Sequence, residues 1–281
     1  MDNVHANQPS VQRNVILGLL LALAAGAWVL LVWQSANADM DMTMASPTMG
    51  LRAPLFLAIW VAMMVAMMFP TAAPMILTFH KVQAGKRQRG DAFVSTWVFV
   101  AAYILVWALA GLAAYAGALA AEAIAVRAAL SPATSARIGG AFVILAGIYQ
   151  LSPLKDLCLS KCRTPITFIM TSWRDGAVGA LLMGLLHGAY CLGCCWLLFV
   201  ILFPLGIMNI AAMAVITLII FAEKTLPWPR LAPYAAAFAL VLYGALVIAS
   251  PQLLPTFQKD GGAAMPAEMQ MPGSGSAPAM K

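Results

Sequence analysis

Seven apolar segments joined by short, charged loops constrain this chain more than any other feature. They lie near residues 15–33, 55–79, 92–119, 136–151, 177–203, 208–222 and 231–250. At about 1.5 Å of rise per helical residue, about 20 residues cross about 30 Å of hydrocarbon, a length most of these segments reach or approach. A bilayer core offers no water to backbone N–H and C=O groups, so each crossing is expected to be helical. Of the 281 residues, 63% are hydrophobic and 9% are charged; an average soluble domain is roughly one-quarter charged. The expected fold is therefore all-α, a polytopic transmembrane helix bundle of about seven spans. The fourth and sixth segments are short, which predicts tilted or partly re-entrant elements there.

Lysine and arginine placement gives an orientation. With the N-terminus cytoplasmic, the inner segments hold Arg13, Lys81, Lys86, Arg87, Arg89, Lys155, Lys161, Arg163, Arg174, Lys224 and Arg230. Arg52, Arg127, Arg137, Lys259 and Lys281 fall outside. The positive-inside rule favours this arrangement, with the C-terminus extracytoplasmic. The net charge of +6 is then a topology signal. The basic residues lack the interleaved aromatics of a nucleic-acid platform, so the expected partner is the bilayer and no nucleic acid.

The chain divides into a cytoplasmic N-terminus (1–14), a first anchor (15–33), an outer methionine-rich loop (34–53), a transmembrane domain (54–250) and a low-complexity outer tail (251–281). The first span also reads as a signal peptide, through Arg13, the apolar run to Trp33 and Ala36-Asn37-Ala38; its length favours an anchor. The setting is a multi-pass protein of a bacterial-type inner (plasma) membrane.

Sulfur is distributed unevenly over this frame. Met63, Met64, Met67 and Met68 occur within six residues of the second span. The four-residue steps between Met63 and Met67 and between Met64 and Met68 make two adjoining stripes on one side of a helix. Pro70 and Pro74 follow, each removing a helical hydrogen bond. In the fifth span His187, Cys191 and Cys195 recur every four residues with Cys194 alongside, a ladder about 12 Å long. A methionine pair or a single buried cysteine is ordinarily packing. A charge-capable side chain within an apolar span marks function by default.

Thioether, thiol and imidazole together suit a soft metal, copper(I) first and another soft metal second. The orientation places Met63, Met64, Cys194 and Cys195 in the outer half and Met67 and Met68 nearer Cys191 and His187, so the second and fifth spans are expected to be neighbours. Met40, Met42 and Met44 of the outer loop and Met265, Met269 and Met271 of the tail fall on one side of the membrane, as weaker, peripheral ligands that survive an oxidising compartment. Cys158 and Cys162, in the inner loop after the fourth span, form a second peripheral pair near an exit. Glu223 is expected to snorkel at the interface and pair with Lys224. Trp28, Trp33, Trp97, Trp107, Trp228 and Tyr234 read as interfacial anchors.

The string Trp60 to Pro70, the loop Cys158 to Pro165 and the run Tyr190-Cys191-Leu192-Gly193-Cys194-Cys195-Trp196 resemble the predicted metal-binding integral membrane proteins grouped as domain of unknown function 2182. Met208-Asn209 and Glu223-Lys224 fit the same pattern. The resemblance covers roughly residues 52 to 250 and implies membrane placement and metal binding.

The expected function is the binding of copper(I) for delivery, transport or homeostasis, with a metal chaperone or membrane metalloenzyme as partner. No nucleotide-binding loop is present in the sequence, which argues against a primary pump. Two other classes stay open. One is a thiol-disulfide or quinone-linked oxidoreductase using Cys194, Cys195 and His187; the other is an accessory structural subunit. Whether the chain is an enzyme is undecided, with no acid-base or nucleophile set standing apart from the candidate ligands.

Overall fold

The structure is a computed structural model, and it describes residues 8–37, 48, 51–228 and 230–256. Among these the chain runs as helices α1 (Gln8–Asn37), α2 (Ala53–Gln88), α3 (Thr96–Arg127), α4 (Pro132–Tyr149), α5 (Pro153–Arg163), α6 (Pro165–Ser172), α7 (Gly176–Val200), α8 (Leu202–Leu205), α9 (Ile210–Thr225) and α10 (Leu231–Ala249). A 3-10 turn at Pro251–Leu253 follows. The all-helical expectation holds for the described residues.

Among the described residues, five stretches are long and apolar enough to cross a membrane: Val11–Asn37, α2, α3, Gly176–Leu205 and α10. The pair α4 and α5, bent by 63°, meets the same test as one broken unit. At 16 residues α9 is about 24 Å long, short of a typical hydrocarbon thickness.

Helix ends follow from local chemistry. The Ser152 side chain accepts from the Lys155 backbone N–H with Pro153 in the first turn, so a new helix starts after a three-residue break from α4. That restart turns residues 153–163, expected as a loop, into a helix folded against the bundle. Helix α2 continues past the expected residue 79 into a basic last turn, where Lys86 and Arg87 suit the negative end of the helix dipole. Lys86 pairs with Asp175, the residue before α7, and Trp173 Nε1 donates to the same carboxylate at 2.9 Å. These hydrogen bonds, that of Lys86 first, hold the Asp175 carboxyl below its ordinary range.

Helix α2 packs against α1 and α3, α3 against α7, α7 against α5, and α4 against α10. Small residues set the close approaches. A Cβ at Gly184 of α7 would lie 2.5 Å from the Phe99 carbonyl oxygen of α3. One at Gly244 of α10 would lie 2.7 Å from the Gly140 carbonyl oxygen of α4. Outward faces carry Leu19, Leu23, Leu105, Leu109, Leu218 and Phe238, all exposed.

Pro70 lacks the N–H that would bond the Ala66 carbonyl one turn earlier. Trp28 Nε1 of α1 donates to that carbonyl at 3.1 Å, and Leu20 and Leu31 of α1 are fully buried. The Trp28 indole thus has a specific internal partner. Trp107, buried in the core, is likewise no interfacial anchor, whereas Trp33, Trp97, Trp228 and Tyr234 are exposed. Trp28→Phe keeps the ring and removes the donor. It is expected to cost about 1–3 kcal/mol, read as a lower unfolding midpoint in detergent; an unchanged midpoint would show that another donor serves Ala66.

Candidate metal centre

The four ligand-type residues of α7 are all buried: His187, Cys191, Cys194 and Cys195. Met183, one turn before His187, is buried too and extends the same face by a fifth soft side chain. On α5, Lys155, Cys158, Leu159 and Cys162 fall at steps of three, four and seven, a single stripe. Lys155, Cys158 and Leu159 are buried and Cys162 half-buried. Cys158 Sγ would stand 2.8 Å from a Cβ at Gly193, so the glycine of α7 is what admits α5 so closely.

This packing brings together thiols that the sequence placed apart. The Sγ atoms of Cys162, Cys191 and Cys194 all lie within 4.8 Å of one another. A metal–thiolate bond of about 2.3 Å puts three sulfurs about 4 Å apart around a trigonal ion and two about 4.6 Å apart across a linear one. The observed triangle fits either. Cys162, expected as a peripheral exit ligand, belongs instead to the central cluster, because α5 folds back against α7. Cys194 and Cys195 donate to the Cys191 carbonyl at 3.1 and 2.8 Å.

Two further groups touch the cluster. Lys224 Nζ lies 3.1 Å from Cys191 Sγ and 3.3 Å from Thr71 Oγ1, while Thr71 Oγ1 donates to the Met68 carbonyl at 3.0 Å. The Tyr103 hydroxyl is 3.2 Å from the same Cys191 sulfur. An ammonium therefore faces the sulfur cluster directly.

Glu223 and Lys224 do not pair with each other. Glu223 is 2% exposed and accepts two hydrogen bonds, of 2.8 and 2.7 Å, from Lys155 Nζ, itself 1% exposed. Adjacent residues on a helix point about 100° apart, so Glu223 reaches α5 while Lys224 reaches α7. The expected snorkelling pair at the interface is replaced by a buried ion pair.

His187 sits one turn from Cys191, with ring contacts to Phe99, Tyr103 and Phe168 at centroid distances of 5.9, 5.5 and 5.6 Å. Both its ring nitrogens are buried and without a hydrogen-bond partner among the described residues. Buried polar atoms are ordinarily satisfied, and an imidazole left bare beside thiols fits a ligand role.

Met63, Met64, Met67 and Met68 are fully buried in α2. The backbone of α7 packs closely on α3 and α5 rather than on α2, which revises the expected direct pairing of the second and fifth spans. Side chains bridge the gap: Trp60 meets Phe199 at 6.3 Å between rings, and Lys224 links Thr71 to Cys191. The peripheral candidates Met40, Met42, Met44, Met265, Met269 and Met271 lie outside the described residues.

Sequence reasoning missed Tyr103, Lys155 and the direct part of Lys224. The available signals were the stripe Lys155, Cys158, Cys162 and the presence of Glu223 and Lys224 at the end of an apolar run.

A family model described as PpoB2, copper chaperone, matches residues 57–247. No curated protein matches, and no solved structure matches.

Proposed function

Since the chain belongs to the PpoB2 family of copper chaperones, we propose that it binds copper(I) at the thiols of Cys162, Cys191 and Cys194 inside a membrane bundle and delivers the ion to another protein. The observation that carries this reading is the thiol triangle, three soft donors within 4.8 Å drawn from two separate helices. Copper(I) is the cargo. Soft thiolate ligands prefer it, and burial keeps competing hard ligands and water away. Lys224 supplies a positive charge against the sulfurs, which lowers the cost of holding thiolates in a low-dielectric interior.

His187, one turn from Cys191 with both ring nitrogens unpaired among the described residues, is a further candidate ligand, and Met63, Met64, Met67, Met68 and Cys195 line the approach as weaker donors. The methionine-rich segments around Met40 to Met44 and Met265 to Met271 act as low-affinity collectors on the outer side. The bundle crosses a bacterial-type inner membrane about seven times, α9 and the bent α4–α5 unit included, with the N-terminus inside. The receiving partner is a metal chaperone or a membrane metalloenzyme.

An oxidoreductase gains less support. Cys191, Cys194 and Cys195 are at most 2% exposed, and thiol-disulfide exchange requires access of the attacking sulfur.

The test is elemental analysis of protein purified anaerobically in detergent and offered copper(I). The native chain is expected to carry about one copper. The folded variant Cys162→Ser, Cys191→Ser, Cys194→Ser is expected to carry almost none. Equal copper in both would overturn the thiol site.

A further inference from the structure

Two elements remote in sequence must stay in register for the thiol triangle to exist, α5 with Cys162 and α7 with Cys191 and Cys194, and Thr71 of α2 reaches the same place through Lys224. Helix α9 contacts α5 and α2 and carries at its end the dipeptide Glu223-Lys224, whose side chains reach both sides. Glu223 holds Lys155 through two hydrogen bonds, and Lys155 is two turns from Cys162 on the same stripe of α5. Lys224 holds Cys191 of α7 and Thr71 of α2. The other end of α5 is tied to the same region, since Arg163 donates to the Leu226 carbonyl just after α9.

A plain packing role does not account for this arrangement. Two charges taken out of water cost several kcal/mol each, and an apolar pair of similar size would join α5 to α9 without that cost. What the ion pair adds is direction. A carboxylate accepting two hydrogen bonds from one ammonium defines where the stripe of α5 sits, and fixing Lys155 fixes the rotation that brings Cys162 round to α7. Helix α5 has 11 residues; the fit of Cys158 against Gly193 and the Arg163 contact hold it near α7 and α9, and among the described residues the Lys155–Glu223 pair is the one buried, charge-directed contact that sets its rotation.

We propose that Glu223 and Lys224 form a two-sided clamp that assembles the copper site, a proposal that rests on the copper-binding reading above. Glu223 is a positioning residue acting through Lys155 on Cys162. Lys224 is a positioning residue acting on Cys191 and supplies the countercharge to its sulfur. With the clamp closed, copper(I) meets three sulfurs. With the Glu223 arm released, Cys162 rotates away and the ion keeps the two sulfurs of α7.

The experiment loads full-length protein in detergent with one equivalent of copper(I) under anaerobic conditions. X-ray absorption reads the sulfur coordination, and competition with a copper(I) chelator reads affinity. The native chain is expected to give about three sulfurs and Glu223→Gln about two, with affinity lower by about ten-fold or more. The charge swap Lys155→Glu, Glu223→Lys is expected to restore part of the third sulfur. Glu223→Gln in a Cys162→Ser background is expected to cause no further loss, since residues acting through one another are non-additive.

Lys224→Met is expected to weaken binding in the native background and not in Cys191→Ser, and Lys224→Arg to retain most of it. Helicity and a monodisperse detergent complex, checked for each variant, separate misfolding from loss of the third sulfur. Three sulfurs in a folded Glu223→Gln, or equal affinity losses with and without Cys162, would overturn the clamp. Failure of the native chain to bind copper(I) at all would overturn the functional reading and the clamp with it.

Discussion

Replacing Cys162 by serine will weaken copper(I) binding by roughly a hundred-fold, about 2.7 kcal/mol, while replacing Cys195 will change it by no more than about three-fold. The contrast runs against the sequence order, in which Cys195 continues the ladder of α7 and Cys162 stands 29 positions from Cys191 on another helix. Spatially the ranking reverses. The Cys162 sulfur is within 4.8 Å of both Cys191 and Cys194, whereas Cys195 bonds the Cys191 carbonyl and stands outside that triangle. A serine hydroxyl is a hard, weak donor to a soft ion, so the substitution removes a ligand with almost no change in volume. Chelator competition on the two single variants, each checked for intact folding, measures the effect. Equal losses would move the site along α7 toward Cys195, and loss at Cys195 alone would restore the ladder as the binding unit.

The same contrast shows how far the sequence could be read. Periodicity of four placed His187, Cys191 and Cys195 on one helical face, and all are buried on α7; that conclusion needed only helix geometry. The second face was not legible, because it depends on where α5 goes. Ser152 and Pro153 announce a helix start, but no local signal states that the new helix bends 63° from α4 and lies against α7. Charges among basic residues suggested a solvated loop instead.

Glu223 and Lys224 were visible as unusual, and their partners were not, since adjacent residues diverge and each finds its partner on a different helix. That α2 meets α7 through bridging side chains and not through close backbone packing was hidden for a related reason. Depth along the membrane normal can be read from a sequence, while lateral neighbours are set by small residues such as Gly184 and Gly188, which draw α7 onto α3.

Lys155→Met will be the most damaging single substitution outside the thiols, destabilising the folded chain by about 3–5 kcal/mol. Lys155 and Glu223 are 1% and 2% exposed, with nitrogen-to-oxygen distances of 2.8 and 2.7 Å. Removing the ammonium leaves a buried carboxylate without its hydrogen-bonded counterion, and that poorly compensated charge is the source of the loss. The double substitution Lys155→Met, Glu223→Met removes both charges and fills the space with adaptable apolar side chains. It is expected to recover most of the lost stability and to match or exceed the native chain, because desolvating a buried pair costs about as much as its attraction returns.

Unfolding midpoints in detergent, followed by a tertiary signal, distinguish the cases. A single variant as stable as the native chain would mean that Glu223 reaches water or a second cation. A double variant less stable than the native chain would mean that the ion pair is a net source of stability in its own right, and not chiefly a means of setting the rotation of α5 against α7.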